Sequence, residues 1–223
     1  MKLNLSKKQK IIIIIVAVAI ALAGFLAFRV WNWQVKITTV RSFFSQLLGR
    51  EELPDRVKQA IEKIKTNPND VDAYVTVAAY KRDQGKYAEA IDIYETALII
   101  RPIDTLLLMN VAELYVANKQ YAEAESAYLK VIDNNPKWKS AYRSLVDVYR
   151  YFIKEKISEI PRILELGLKN NVGEGVDDEF IGQLAVYYKD FGPKEKAIEY
   201  YKKLLLINPK NEGAKNDLAE LQK

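Results

Sequence analysis

Neither cysteine nor histidine occurs among the 223 residues. The first absence excludes a disulfide framework, a lipidated thiol and a thiolate zinc site. The second removes the commonest general base and the commonest nitrogen ligand for metals. Phosphate-loop chemistry is missing as well, because Gly173-Glu174-Gly175 leads into no Gly-Lys-Ser/Thr pattern. No carboxylate pair, serine dyad or metal-ligand cluster stands out, so no catalytic residue, cofactor or metal is expected. Asp177, Asp178 and Glu179 precede an apolar-periodic stretch, where N-capping and the helix dipole account for them. Charge excess is scarce where it would count. The net charge is +5, but Lys2, Lys7, Lys8 and Lys10 supply four of those charges. What remains is 30 basic against 29 acidic side chains. A nucleic-acid binder carries its excess on the folded domain, so nucleic acid is not an expected partner.

What the chain does contain is a period. Tyr87-Ala88-Glu89-Ala90 recurs as Tyr121-Ala122-Glu123-Ala124, an offset of 34 residues, and Pro68, Pro102 and Pro136 are spaced by the same 34. A period of this length marks stacked units that cannot each bury an apolar face alone. Within a unit, Tyr74, Val77, Ala78 and Lys81 share one helical face before a turn at Gly85. Ala90, Ile91, Tyr94, Ala97 and Leu98 then recur at helical spacing until Pro102. Each unit therefore reads as a helix hairpin.

These residues resemble the tetratricopeptide repeat. Counted from Val71, the matching positions hold Tyr74, Val77, Ala78, Gly85, Ala90, Tyr94, Ala97 and Pro102. Counted from Thr105, they hold Leu108, Val111, Ala112, Tyr115, Ala124, Tyr128 and Pro136, with departures at Lys119 and Val131. The resemblance implies an all-α solenoid of about four helical hairpins plus a closing helix, used for binding proteins or peptides.

Preceding the repeats, Ile11 to Phe28 is eighteen residues without a charge or a polar side chain. As a helix it would be roughly 27 Å long, enough for a hydrocarbon core. Trp31 and Trp33 fall where an aromatic belt would sit, and Arg29 can snorkel. Residues 11–33 read as a transmembrane signal-anchor. The four early lysines put residues 1–10 in the cytoplasm and the repeats on the extracytoplasmic side, although Arg29, Lys36 and Arg41 weaken the asymmetry. A competing reading is a signal peptide cleaved after Ala21-Leu22-Ala23, which would give a secreted soluble protein.

Residues 34–53 read as an amphipathic helix and linker. Val40, Phe43, Phe44, Leu47 and Leu48 share one face, which would pack on the solenoid, lie on the membrane or contact another copy. Residues 54–70 form a degenerate leading half-repeat with Val57, Ala60, Ile61 and Ile64 as its stripe. Full repeats then run over 71–104, 105–138, a divergent 139–177, and 178–211, and residues 212–223 close the array. The divergence is a count: Pro136 to Pro209 is 73 residues, two periods plus five, and the extra five are assigned to a longer turn before Pro161 and the loop 170–175. Of the fourteen tyrosines, all but Tyr151 and Tyr200 fall at or beside packing positions.

The tetratricopeptide resemblance also implies which positions face a concave groove. In the first repeat they include Val75 and Arg82, and in the second Leu106, Met109, Glu113 and Val116. The third contributes Arg143, Asp147, Arg150 and Tyr151. Val75 and Ala79 stand where the family's carboxylate clamp needs lysine and asparagine, so that specific use is not implied. Instead the positions suggest an apolar patch of Val75, Leu106, Met109 and Val116 beside a basic and aromatic one, a surface for an apolar partner segment. The alternative is that these side chains meet a neighbouring helix. The expected function is a membrane-anchored scaffold for a protein or peptide partner, with self-assembly of the chain as the second possibility.

Overall fold

The computed structural model describes residues 53–171 and 178–223. The basic N-terminus, the span at 11–33, the amphipathic segment at 40–48 and most of the loop at 170–175 lie outside those residues. Ten α-helices and one 3₁₀ helix are present among the described residues, with no strand. Nor is any helix there long and apolar enough to cross a membrane.

The chain divides into two compact units, residues 1–77 and 78–223. In the first, α1 (Asp55–Thr66) buries Val57, Ala60, Ile61 and Ile64, one residue or more per turn on a single stripe. Pro54 sits just before its first turn, where a missing N–H costs nothing. Helix α2 (Val71–Asp83) starts in this unit and ends in the second. Asp70 accepts from the Ala73 amide at 3.1 Å, capping α2, and the Tyr74 phenol donates to the Pro68 carbonyl at 3.2 Å.

The second unit continues with α3 (Tyr87–Ile100), α4 (Thr105–Ala117), α5 (Tyr121–Asn134) and α6 (Lys139–Tyr151). After a 3₁₀ helix (Lys154–Glu159) come α7 (Ile160–Asn170), α8 (Asp178–Phe191), α9 (Lys194–Ile207) and α10 (Glu212–Leu221). From α3 to α10 each helix packs on the next in the chain, an all-helical hairpin solenoid. Small residues let the hairpins close: Ala90, Ala97, Ala112, Ala124, Ala141, Ala185 and Ala197 have no exposed surface. The tyrosines fill what remains. Tyr94, Tyr142, Tyr149 and Tyr201 are buried to within 2% of their surface, and the Tyr142 phenol reaches the Pro136 carbonyl at 2.8 Å.

Two turns reverse the chain through the left-handed region. Gly85 does so at φ 72°, which glycine adopts freely. Lys119, 34 residues later, does so at φ 62° despite its Cβ. The geometry of the turn persists where its usual residue has gone. The longer turn before Pro161 is not irregular, because its six residues Lys154–Glu159 wind into the 3₁₀ helix, which packs on α6 and α7. Gly167 is a close approach: a Cβ there would lie 2.6 Å from the Phe180 ring.

Candidate protein-binding groove

The first helices of the hairpins, α4, α6 and α8, each bury one face and turn the other outward. On α6 the buried face is Ala141, Tyr142, Leu145, Val146, Val148 and Tyr149, which leaves Arg143 and Asp147 exposed one turn apart. On α4 the outward residues are Leu106, 61% exposed, and Glu113. Asp104 fixes the start of α4 by accepting from the Leu106 and Leu107 amides at 3.0 and 3.2 Å. That cap fixes where α4 begins, and Leu106 stands exposed in its first turn.

Not every residue that the repeat positions single out is on the surface. Met109 is only 7% exposed and belongs to the core, and Val75 and Val116 are half-buried. The continuous apolar patch of leucine, methionine and valine is therefore corrected to a single exposed leucine. The reason is packing: Met109 shares the α4 face of Leu108 and Ala112, and a long flexible thioether fills the space available there. Tyr151 is 60% exposed, but it stands edge-on to Phe152 at 6.4 Å, and Phe152 stacks on Tyr121 at 4.5 Å. It joins an aromatic cluster with these two.

The charged residues do converge. Arg143 on α6 pairs with Glu179 on α8 at 3.1 Å. The Asp147 carboxyl is held above its ordinary value by partial desolvation, against the pull of Arg150 and Arg143 and with Glu179 adding to the rise. Glu113 and Asp147 both act on the Tyr128 phenol, which burial pushes up to about 12 while Ser144 draws it down through a hydrogen bond. Further along, Arg82 binds the Asp83 carboxylate through Nε and Nη2 at 3.1 and 3.0 Å, and Glu113 also favours its charged form. A row of mixed charge thus runs along Arg82, Glu113, Asp147, Arg143 and Glu179.

At the C-terminal end the groove deepens into a recess of about 330 Å³ between α6, α8 and the end of α9. Arg150, Glu179, Gly182 and Gln183 line it, with Val186 and Leu204 as its apolar part. Arg150 Nε and Nη2 and Gln183 Oε1 are buried and make no hydrogen bond. Such orphans cost about 1–3 kcal/mol each, and in a native fold they call for an explanation. Position-by-position reading missed the α8 side of this site. The register that gives Arg143 and Asp147 in the third repeat gives Glu179, Gly182 and Val186 in the fourth, but Glu179 has a sufficient local explanation at a helix N-terminus. Only the fold shows Arg143 beside it. Among the described residues no group of three acidic side chains is placed to hold a metal.

Comparison with known proteins bears on the same helices. A tetratricopeptide repeat model matches residues 81–147, and another matches residues 179–211. Over those two stretches the chain matches tetratricopeptide repeats. The photosystem I assembly protein Ycf3 of Synechococcus elongatus is 31% identical over 108 residues, covering 44% of this chain and 60% of that protein. The chain thus spans about 60% of the length of the curated relatives it matches. The C-terminal part of a repeat protein from Cytophaga hutchinsonii superposes with a TM-score of 0.61 at 22% identity, over 73% of this chain and 65% of that one. YrrB, a repeat protein with an unusual peptide-binding site, gives 0.54 at 17% identity, over 73% and 81%. At those identities the two structures establish the fold alone.

Proposed function

We propose that this protein is a membrane-tethered tetratricopeptide scaffold that holds a protein or peptide partner in its groove, without chemistry of its own. The observation that carries this reading is the outward row on α4, α6 and α8. Helices that bury their other faces fully still present Leu106, Glu113, Arg143 and Asp147 to solvent. The photosystem I assembly protein supports a role in building a complex, and the peptide-binding site of YrrB supports a polypeptide as the occupant. The tether rests on the sequence: eighteen uncharged residues from Ile11, four lysines ahead of them and two tryptophans behind. In this reading the N-terminus is cytoplasmic, the repeats work on the extracytoplasmic face, and anchoring raises the effective concentration of a membrane-associated partner.

Site-specific photocrosslinking in the membrane tests the groove. A photoreactive residue replacing Leu106 should trap a discrete partner polypeptide, and one replacing Leu206, which is 83% exposed on α9, should not. Equal labelling at both positions would refute the groove. Alkaline carbonate extraction tests the tether, since an anchored chain stays in the membrane pellet. A mature N-terminus found at Gly24 would establish cleavage instead.

A further inference from the structure

We propose that the groove, where it passes α4 and α6, takes a basic partner segment, holding a lysine or arginine side chain between Glu113 and Asp147 and an aliphatic side chain on Leu106. This rests on the scaffold reading and names the chemistry of the occupant. Glu113 and Asp147 are 34 residues apart, so they hold the same place on successive first helices, and both are exposed. Both also act on the one phenol of Tyr128 on α5, so they border the same point of the groove floor. Carboxylates on either side are already engaged, Asp83 by Arg82 at 3.0 Å and Glu179 by Arg143 at 3.1 Å. Neither Glu113 nor Asp147 has an ion-pair partner among the described residues.

The surroundings favour a cation over the alternatives. Arg143 and Arg150 draw on Asp147 from beyond ion-pair distance, and its carboxyl still lies above its ordinary value. A partner carboxylate placed there would face two like charges over a phenol that burial keeps protonated. A neutral side chain would strip water from both carboxylates and return no charge. An ammonium or guanidinium brings donors alone, and its bonds to carboxylates are the charge-assisted kind. The aliphatic contact has its own basis. Leu106 is 61% exposed and stands seven residues before Glu113 on the same face of α4. Seven residues are two helical turns, about 10.5 Å, a length that an extended segment covers in about three residues. One short segment therefore reaches both places.

Full-length protein in detergent micelles can be offered immobilised nonapeptide pools, capped at both ends, fixed at the centre and randomised among uncharged residues elsewhere. The Lys and Arg pools should retain about fivefold more protein than the Gln and Leu pools, the effect of two exposed ion pairs, and the Asp and Glu pools should retain least. The net charge of +5 opposes that order, so bulk attraction cannot produce it. Glu113→Gln and Asp147→Asn should each shrink the preference, and Glu113→Lys with Asp147→Lys should turn it toward Asp and Glu. Melting temperatures should hold within a degree or two, because both side chains are exposed. Leu106→Ser should weaken retention of every pool, and unchanged retention would overturn the aliphatic contact. Preference of the parent protein for Asp and Glu would overturn the proposal in favour of an anionic partner. A basic preference that survives in all the Glu113 and Asp147 variants would place the contact elsewhere and also overturn it. Equal retention of every pool would remove only this inference, whereas retention of none would remove the scaffold reading on which it rests.

Discussion

The phenol of Tyr149 in α6 donates a 2.7 Å hydrogen bond to Glu125 in α5. Lys156, from the 3₁₀ helix, reaches the same carboxylate at 2.6 Å. One period earlier, Tyr115 donates to Glu95 at 2.6 Å, and one period before that, Lys81 pairs with Glu89 at 3.1 Å while only 1% exposed. The same place in three successive repeats therefore carries a long side chain whose polar end joins a second helix. The acidic partner comes from a different position each time.

Removing one of these joints tests its contribution. Tyr149→Phe keeps the buried ring and deletes only the hydroxyl. It should lower unfolding free energy by about 1–2 kcal/mol, near the lower end for a bond to a charged acceptor because Lys156 still serves Glu125. Chemical denaturation reads this as a lower midpoint with an unchanged slope.

Three turn and packing positions separate strain from crowding. Gly85→Ala meets no atom within 4 Å, so its cost should be conformational, about 1 kcal/mol. Lys119→Gly should stabilise by roughly 0.5–1 kcal/mol, because it relieves the same left-handed backbone. Gly167→Ala drives a methyl group against Phe180 and Tyr142 and should destabilise by about 1–3 kcal/mol. Melting temperatures of the three variants should therefore move in two directions.

The closing helix is tied by Asp217 of α10, which accepts from Lys189 at 2.5 Å and from Tyr201 at 2.7 Å. The Lys189 hydrogen bond holds the Asp217 carboxyl below its ordinary 3.8, and the same bond holds the Lys189 ammonium above its ordinary 10.5. The depressed carboxyl stabilises the fold above pH 3.8, and this is lost as pH falls through its lower folded value. The raised ammonium stabilises below pH 10.5, and this is lost as pH climbs through its higher folded value. Asp217→Asn should thus be less stable than the parent between those limits, by no more than about 1 kcal/mol of ion-pair origin since both groups are partly exposed. Stability curves of the two proteins should converge in acid, and salt should narrow the gap.

Leu106 and Met109 should respond in opposite ways. Leu106→Asp places a charge in solvent and should leave the melting temperature within a degree or two while weakening partner capture. Met109→Asp buries a carboxylate in the α4 core and should cost about 3 kcal/mol or more. Comparing thermal unfolding with photocrosslinking yield for each variant would distinguish loss of the site from loss of the fold.

The sequence by itself determined the all-helical class and the helices of the hairpins. Apolar residues at helical spacing, small residues at close approaches and prolines one period apart are local properties, and a helix needs little else to be placed. The stripe Val57, Ala60, Ile61 and Ile64 is buried in the structure, as are Ala141, Tyr142, Leu145, Val146, Val148 and Tyr149 on α6. What only the tertiary structure decided is which outward-reading residue stays outward and which charge meets which. Met109 and Leu106 lie three residues apart on one helix, and local spacing gives no reason to bury only the first. The neighbouring helix does that. Glu179 has a complete local explanation as an N-terminal acid, yet it lies against Arg143 from 36 residues away. Arg150 and Gln183 look unremarkable in the chain, and their missing partners emerge only when α6 and α8 enclose them. Periodicity fixes the face of a helix, but burial and pairing depend on how closely the next helix crosses that face.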